Sequence, residues 1–332
     1  MYRIVRNNIL EITGITMLCL AFLLISFSTS FTLPFTLPSS VLNLNTIFLS
    51  ILIEALPFVL IGVLIAGMIQ IFVTEKHIQR LIPQNKVLAV IVSCIVGALF
   101  PACECGIVPI VRRLIGKGVP IHAAIGFMLT GPLINPIVIA STFMAFGNDM
   151  KIAGLRMGLG FFIAVVVAFI ISWIFKGNQF KSSLQVTATH SHAKNEGFLN
   201  RFWSMLTHSV DEFFDMGKYL ILGAFLAAVV QTYMPAKALL EAANGTASAT
   251  AIMMGLAFVL SLCSEADAFI GASFSSIFPT SAILGFLVFG PMMDLKNTLM
   301  MLSVFRAKFV LILLALITSV VFISIMITHS FL

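Results

Sequence analysis

Runs of about 20 apolar residues recur along this 332-residue chain, at about 9–29, 46–73, 87–100, 119–147, 152–175, 213–234, 246–262, 280–305 and 308–329. A single water-soluble core cannot absorb that many. Most of these runs are long enough, or nearly so, for a helix to cross a hydrocarbon layer roughly 30 Å thick. The pattern predicts an all-α polytopic membrane protein. Charged residues make up only 10% of the chain, where about 25% is usual in soluble domains. The net charge of +6 is scattered between apolar runs instead of forming one basic face. It reads as the positive-inside bias of membrane loops, with no nucleic-acid partner.

The first run follows Arg3 and Arg6 and carries no Ala-x-Ala cleavage pattern, so it reads as a retained transmembrane helix. The expected organisation is an N-terminal helix and outer loop (1–45), a first membrane repeat (46–175), a cytoplasmic loop (176–200) and a second membrane repeat (201–332). His190 and His192 lie in that loop, where paired histidines are more often solvated than metal-bound. Residues 198–220 carry aromatics on one side and Asp211, Glu212, Asp215 and Lys218 on another, as an interfacial helix leading into a span would.

The two halves resemble each other. Pro120–Pro132 aligns with Pro279–Pro291, and over sixteen positions from there six are identical, where chance gives about one or two. At a nearby offset Glu54 falls on Asp215, and Glu104 on Glu265. The orientation of the halves turns on residues 86–120. Val87–Leu99 gives only about 20 Å of helix before Pro101, and Arg112, Arg113 and Lys117 follow. A spanning segment would put those cations opposite Lys76, Arg80 and Lys86, whereas a re-entrant hairpin keeps both clusters in the cytoplasm. The hairpin choice gives two inverted repeats, with broken or re-entrant helices meeting near the membrane midplane. It places the 296–308 region inside and leaves Arg156 as a mild conflict near the outer side.

The chemistry concentrates where the helices break. Cys103-Glu104-Cys105 in the first half corresponds to Cys263-Ser-Glu265-Ala-Asp267 in the second. Non-helical backbone at membrane depth survives only if it is buried in protein or lines a hydrated cavity, and a carboxylate there is functional by default. Thiolates suit soft metals and metalloids, so Cys103 and Cys105 are candidate metal ligands. Glu104, Glu265 and Asp267 are candidate charge partners for a cation or proton. The alternative is that the cysteines are small packing residues and the acids pair with backbone donors. Gly131-Pro132 with Asn135, and Gly290-Pro291 with Asp294, are candidate helix breaks whose freed carbonyls and side chains bind substrate or an ion; packing kinks are the alternative. Glu54, a turn before Pro57, and its counterpart Asp215 are candidate proton-coupling residues; the alternatives are that Glu54 is hydrated at the outer interface and that Asp215 and Lys218, one turn apart, neutralise each other. No catalytic constellation is visible: there is no His-Glu-x-x-His, and Cys-x-Cys is not the redox spacing. The chain is expected to be no enzyme and to need no cofactor.

The segments PACECG, RRLIGKGVP and GPLINP resemble the predicted permeases that include ArsP-like organoarsenical efflux permeases and YraQ/YcgR-type permeases. The resemblance runs from about residue 45 to the end. It implies a multi-pass permease of the bacterial plasma membrane, with Cys103 and Cys105 as thiol ligands for a thiophilic substrate. In some relatives it implies a small membrane partner subunit. The function expected is secondary efflux of a soft metal, metalloid or small organic species by alternating access. The alternative is a membrane subunit that scaffolds or regulates a partner complex.

Overall fold

A computed structural model describes residues 39–72, 82–83, 85–100, 102–175, 177, 179–180, 198–233 and 245–330. The first predicted span, most of the 176–200 loop with His190 and His192, Lys76, Arg80 and Pro101 lie outside the described residues. The described residues form twelve helices, and among them the sole β feature is a single bridge between Phe180 and Phe305.

In the first half these are α1 (Ser39–Phe72), α2 (Lys86–Leu99), α3 (Glu104–Gly116), α4 (Ile121–Ile134), α5 (Pro136–Ala145) and α6 (Met150–Ile174). The second half runs through a similar succession: α7 (Phe198–Tyr233), α8 (Thr246–Leu260), α9 (Ser264–Ser273), α10 (Thr280–Met292), α11 (Leu295–Val304) and α12 (Ala307–His329). Five stretches are long and apolar enough to cross a membrane: α1, α4 with α5, α6, the Met205–Tyr233 part of α7, and α12. The protein is therefore a multi-pass helical membrane protein. The interfacial helix expected at 198–220 is continuous with the span after it, in one helix of 36 residues.

In each half two short helices meet at a break, and their arms pack mainly on other helices instead of on each other. The first of these hairpins is α2, a break after Leu99, then α3 from Glu104. Lys86 at its start and Ile115 and Gly118 at its end line one groove, together with His122, Phe175 and Phe305. Both ends of the hairpin thus open on one face of the bundle, and α12 starts beside that face, where Phe309 packs on Phe175 at 4.9 Å between ring centres. The second hairpin is α8, a break at Ser261–Cys263, then α9. Its start meets the far end of α12, where Thr246 Oγ1 lies 3.5 Å from His329 Nε2.

The long helices α1 and α7 pack antiparallel. Phe48 stacks edge-on against Phe225 at 6.1 Å near one end, while Gly67 abuts Met205 and Ser209 near the other. Helix α1 also lies directly on α3. A Cβ on Gly62 would come within 2.6 Å of the Gly106 Cα, so two facing glycines let the backbones touch, the small-residue contact by which helices associate in lipid.

Helix α4 is buried along its whole length and α10 from Ser281 onward, which accounts for apolar runs with no polar face. Each continues through its Gly-Pro pair, and the break falls beyond it. Asn135 is extended (φ −70°, ψ 155°) because the following Pro136 disfavours helical backbone before it. In the second half the break falls at Met293 and Asp294, both extended.

Candidate functional site

Four helices begin near the middle of the bundle. Cys103 and Cys263 occupy the N-cap positions of α3 and α9, both in extended backbone and neither capping with its side chain. Asn135 and Asp294 are the N-caps of α5 and α11, and both do cap. Asn135 Oδ1 accepts the Val138 N–H at 2.9 Å, and Asp294 Oδ1 accepts the Asn297 N–H at 2.5 Å. These sequence types break a helix and restart it because their side chains satisfy the orphan N–H groups of the first turn. The packing is crosswise: α3 touches α11, and α9 touches α5. Each interface joins one half of the chain to the other.

A charge cluster sits at these interfaces. Glu104, Asp267, Asp294 and Arg156 are each 1% exposed and Lys296 is 4% exposed. Lys296 Nζ lies 3.4 Å from Glu104 Oε1 and 3.8 Å from Asp294 Oδ2. It also donates to the Ser261 carbonyl at 3.2 Å, in the break before α9. One ammonium thus ties α3, α11 and the second hairpin together. Arg156 of α6 holds the other interface: Nη1 donates to Thr142 Oγ1 of α5 at 2.6 Å, and Nη2 to the Ser264 carbonyl of α9 at 3.0 Å. Asp267 and Glu265 lie within electrostatic reach of that guanidinium. Carboxylates at the first turns of α3 and α9 also meet the positive ends of those helices.

The structure therefore brings together Glu104, Asp267, Asp294 and Asn135 at paired helix starts, with Glu265 half-buried at the edge. Gly290 shapes the space, since a Cβ there would stand 2.8 Å from Asp267 Oδ2. Gly131 does the same against Ile107, at the start of α3. Pro132 and Pro291 lie inside α4 and α10. The buried Cys105 thiol lies beside that of half-buried Cys103, and within electrostatic reach of Lys296 and Glu104. Cys94, Cys103, Cys105 and Cys263 are unbridged. Among the described residues no group of three or more His, Cys, Asp or Glu is arranged to hold a metal ion.

One predicted residue stands apart: Asp215 has a side chain 70% exposed and pairs with Lys218 at 3.4 Å on the surface of α7. Glu54 is exposed on α1 but borders the centre, with its carboxylate against the Cys263 thiol and within electrostatic reach of Lys296. A groove of about 470 Å³ lined by Met254, Phe258, Phe289 and Phe322 carries no charged residue and takes no part in the cluster.

Two cations were missed by sequence reasoning. Lys296 is no inner-loop residue, and Arg156 is no outer-interface residue; both face the buried acids. The signal was present, since each falls inside a run already recognised as an apolar span, where an ionisable residue is functional by default. Outside the centre, Arg112 and Arg113 of α3 both pair with Glu212 of α7, Arg112 at 2.9 Å.

Helices interrupted inside a membrane bundle, with paired charges buried where they restart, define the class: a polytopic membrane protein built around an internal polar centre, as permeases are. The particular family follows from comparison. A family model described as a predicted permease, of the ArsP type, matches residues 40–330, and the chain belongs to that family. It is 50% identical over 286 residues to the UPF0718 protein YcgR of Bacillus subtilis, covering 86% of this chain and 97% of the relative. It is 44% identical over 275 residues to a putative two-component membrane permease complex subunit of Streptococcus mutans, covering 83% and 91%. The UPF0718 protein MJ0584 of Methanocaldococcus jannaschii is 26% identical over 145 residues, 43% of this chain and 39% of that one. No solved structure matches the chain.

Proposed function

We propose that this chain is a secondary permease of the bacterial plasma membrane that exports a soft metal, metalloid or small organic species by alternating access. The observation that carries the proposal is the buried Lys296–Glu104–Asp294 and Arg156–Asp267 centre, assembled from both halves where two hairpins break. Charges at that depth are costly in lipid, and a purely structural bundle gains little from them. The two halves act as an inverted repeat. Antiparallel α1 and α7, and hairpins whose starts meet opposite ends of α12, support that arrangement. Rocking of one half against the other would open the centre to each side in turn. Cys103 and Cys105 serve as soft ligands, with Glu104, Glu265 and Asp267 balancing charge.

The test is flux into proteoliposomes with zinc, copper(I), arsenite and methylated arsenicals under an imposed proton gradient. The expected result is flux of at least one thiophilic species, lost when Cys103 and Cys105 are replaced by serine at unchanged expression. Unchanged flux in that variant would remove the cysteines from the mechanism.

The second reading is a membrane subunit that works only beside a partner, favoured by the S. mutans relative named as a subunit of a two-component complex. It predicts no flux from this chain alone and flux once a partner membrane protein is co-reconstituted.

A further inference from the structure

The charges at the centre do not balance. Glu104, Asp267 and Asp294 are three buried carboxyls, and the buried cations facing them are Lys296 and Arg156. Full ionisation would leave one uncompensated negative charge inside the membrane, which low-dielectric surroundings disfavour strongly. One proton or one bound cation removes the imbalance.

The hydrogen bonding identifies the carboxyl concerned. Glu104 and Asp294 share Lys296, and Asp294 also accepts the Asn297 N–H. Neither oxygen of Asp267 has a partner. It is faced by Arg156 from α6, Glu104 from α3, and Asp294 and Lys296 from α11. On its own helix Glu265 also lies within reach of Arg156. From α10 it is faced by Gly290, which leaves room at Oδ2 that any side chain would fill. Arg156 keeps its Nε unpartnered although wholly buried. A metal cation fits this place poorly. The described residues hold no metal-binding group of three or more His, Cys, Asp or Glu, and two fixed cations already stand close by. A proton needs one oxygen only.

We propose that Asp267 is the proton-carrying carboxyl of the permease, protonated while the centre is closed and deprotonated when it opens, with Arg156 as its counter-charge. In the step, the Asp267 O–H bond breaks, the proton passes to water on the open side, and the carboxylate left behind faces the guanidinium and is solvated from that open side. The role in transport rests on the permease reading, but the protonation state is measurable with no substrate present.

The experiment is infrared spectroscopy of the purified full chain in lipid at neutral pH. The expected result is a carboxylic-acid C=O band in the unmutated protein that disappears in Asp267→Asn. Should Asp267→Asn fail to fold, carbon-13 labelling of aspartate side chains in the unmutated protein must shift the same band. Lys296→Met, which strands Glu104 and Asp294, is expected to gain a second protonated carboxyl. Absence of the band, its persistence in a folded Asp267→Asn, or an unshifted band after labelling overturns the proposal. So does loss of the band when choline chloride is replaced by sodium chloride, which would assign the site to sodium. Flux without the band would refute this proposal and leave the permease standing. The band without flux from any substrate would do the reverse.

Discussion

Replacing Lys296 with methionine keeps the bulk of the side chain and removes its charge. The ammonium lies 3.4 Å from Glu104 and 3.8 Å from Asp294 and donates to the Ser261 carbonyl. Truncating one partner of a buried ion pair costs about 3–5 kcal/mol, because the other charge is stranded. The protein has an escape: Glu104 can take up a proton. For an ordinary glutamate with a reference pKa near 4.3, protonation at pH 7 costs about 4 kcal/mol. The two routes agree, so the expected loss at pH 7 is about 4 kcal/mol. Protonation becomes easier as pH falls, and at pH 5 the same step costs only about 1 kcal/mol. The variant should therefore regain most of its stability in acid, and Lys296→Met combined with Glu104→Gln should be more stable at pH 7 than Lys296→Met alone. Reversible unfolding in mixed micelles at pH 7 and pH 5 measures all four corners of the cycle. Losses that simply add, or a Lys296→Met cost under about 0.5 kcal/mol at both pH values, would refute an ion pair at the centre.

Three further outcomes are expected. Gly62→Ala drives a methyl group into the Gly106 backbone and should cost at least about 1–3 kcal/mol by overpacking, read by the same unfolding assay. Asp215→Asn removes a surface partner of Lys218 and should change stability by no more than about 0.5 kcal/mol. Gly116 is exposed at the end of α3, with open space where a side chain would stand. A cysteine there, in a background without native cysteines, should react with impermeant maleimide from the cytoplasmic side, and labelling from outside would defeat the re-entrant hairpin.

Much of the architecture was legible because lipid imposes simple lengths. Spans expected at 152–175 and 308–329 are helices Met150–Ile174 and Ala307–His329. The short run before Cys103 is a helix of 14 residues, Lys86–Leu99, as short as its apolar stretch suggested. Glu104 and Asp267 were singled out as acids at a helix break within apolar runs and Asp294 from its place after Gly290-Pro291, and all three are buried. What escaped were the partners. The run 280–305 reads as one span, and only the break at Met293–Asp294 turns Lys296 inward from what otherwise reads as a loop of cations. Arg156 sits two turns into α6, where hydropathy sees an interface but packing against α5 and α9 buries it. Apolar periodicity is blind to such contacts, since α4 and α10 are apolar on every face. The Gly-Pro pairs were recognised, but the backbone yields at Asn135 and Asp294, where side chains restart the next helix.

The most direct test compares the unmutated chain with Glu104→Gln in the same proteoliposomes, following proton-gradient-driven flux of the thiophilic panel. A working centre predicts flux in the first and its loss in the second, with both proteins eluting identically in detergent. Equal flux in the two would mean that the buried charges have no part in transport.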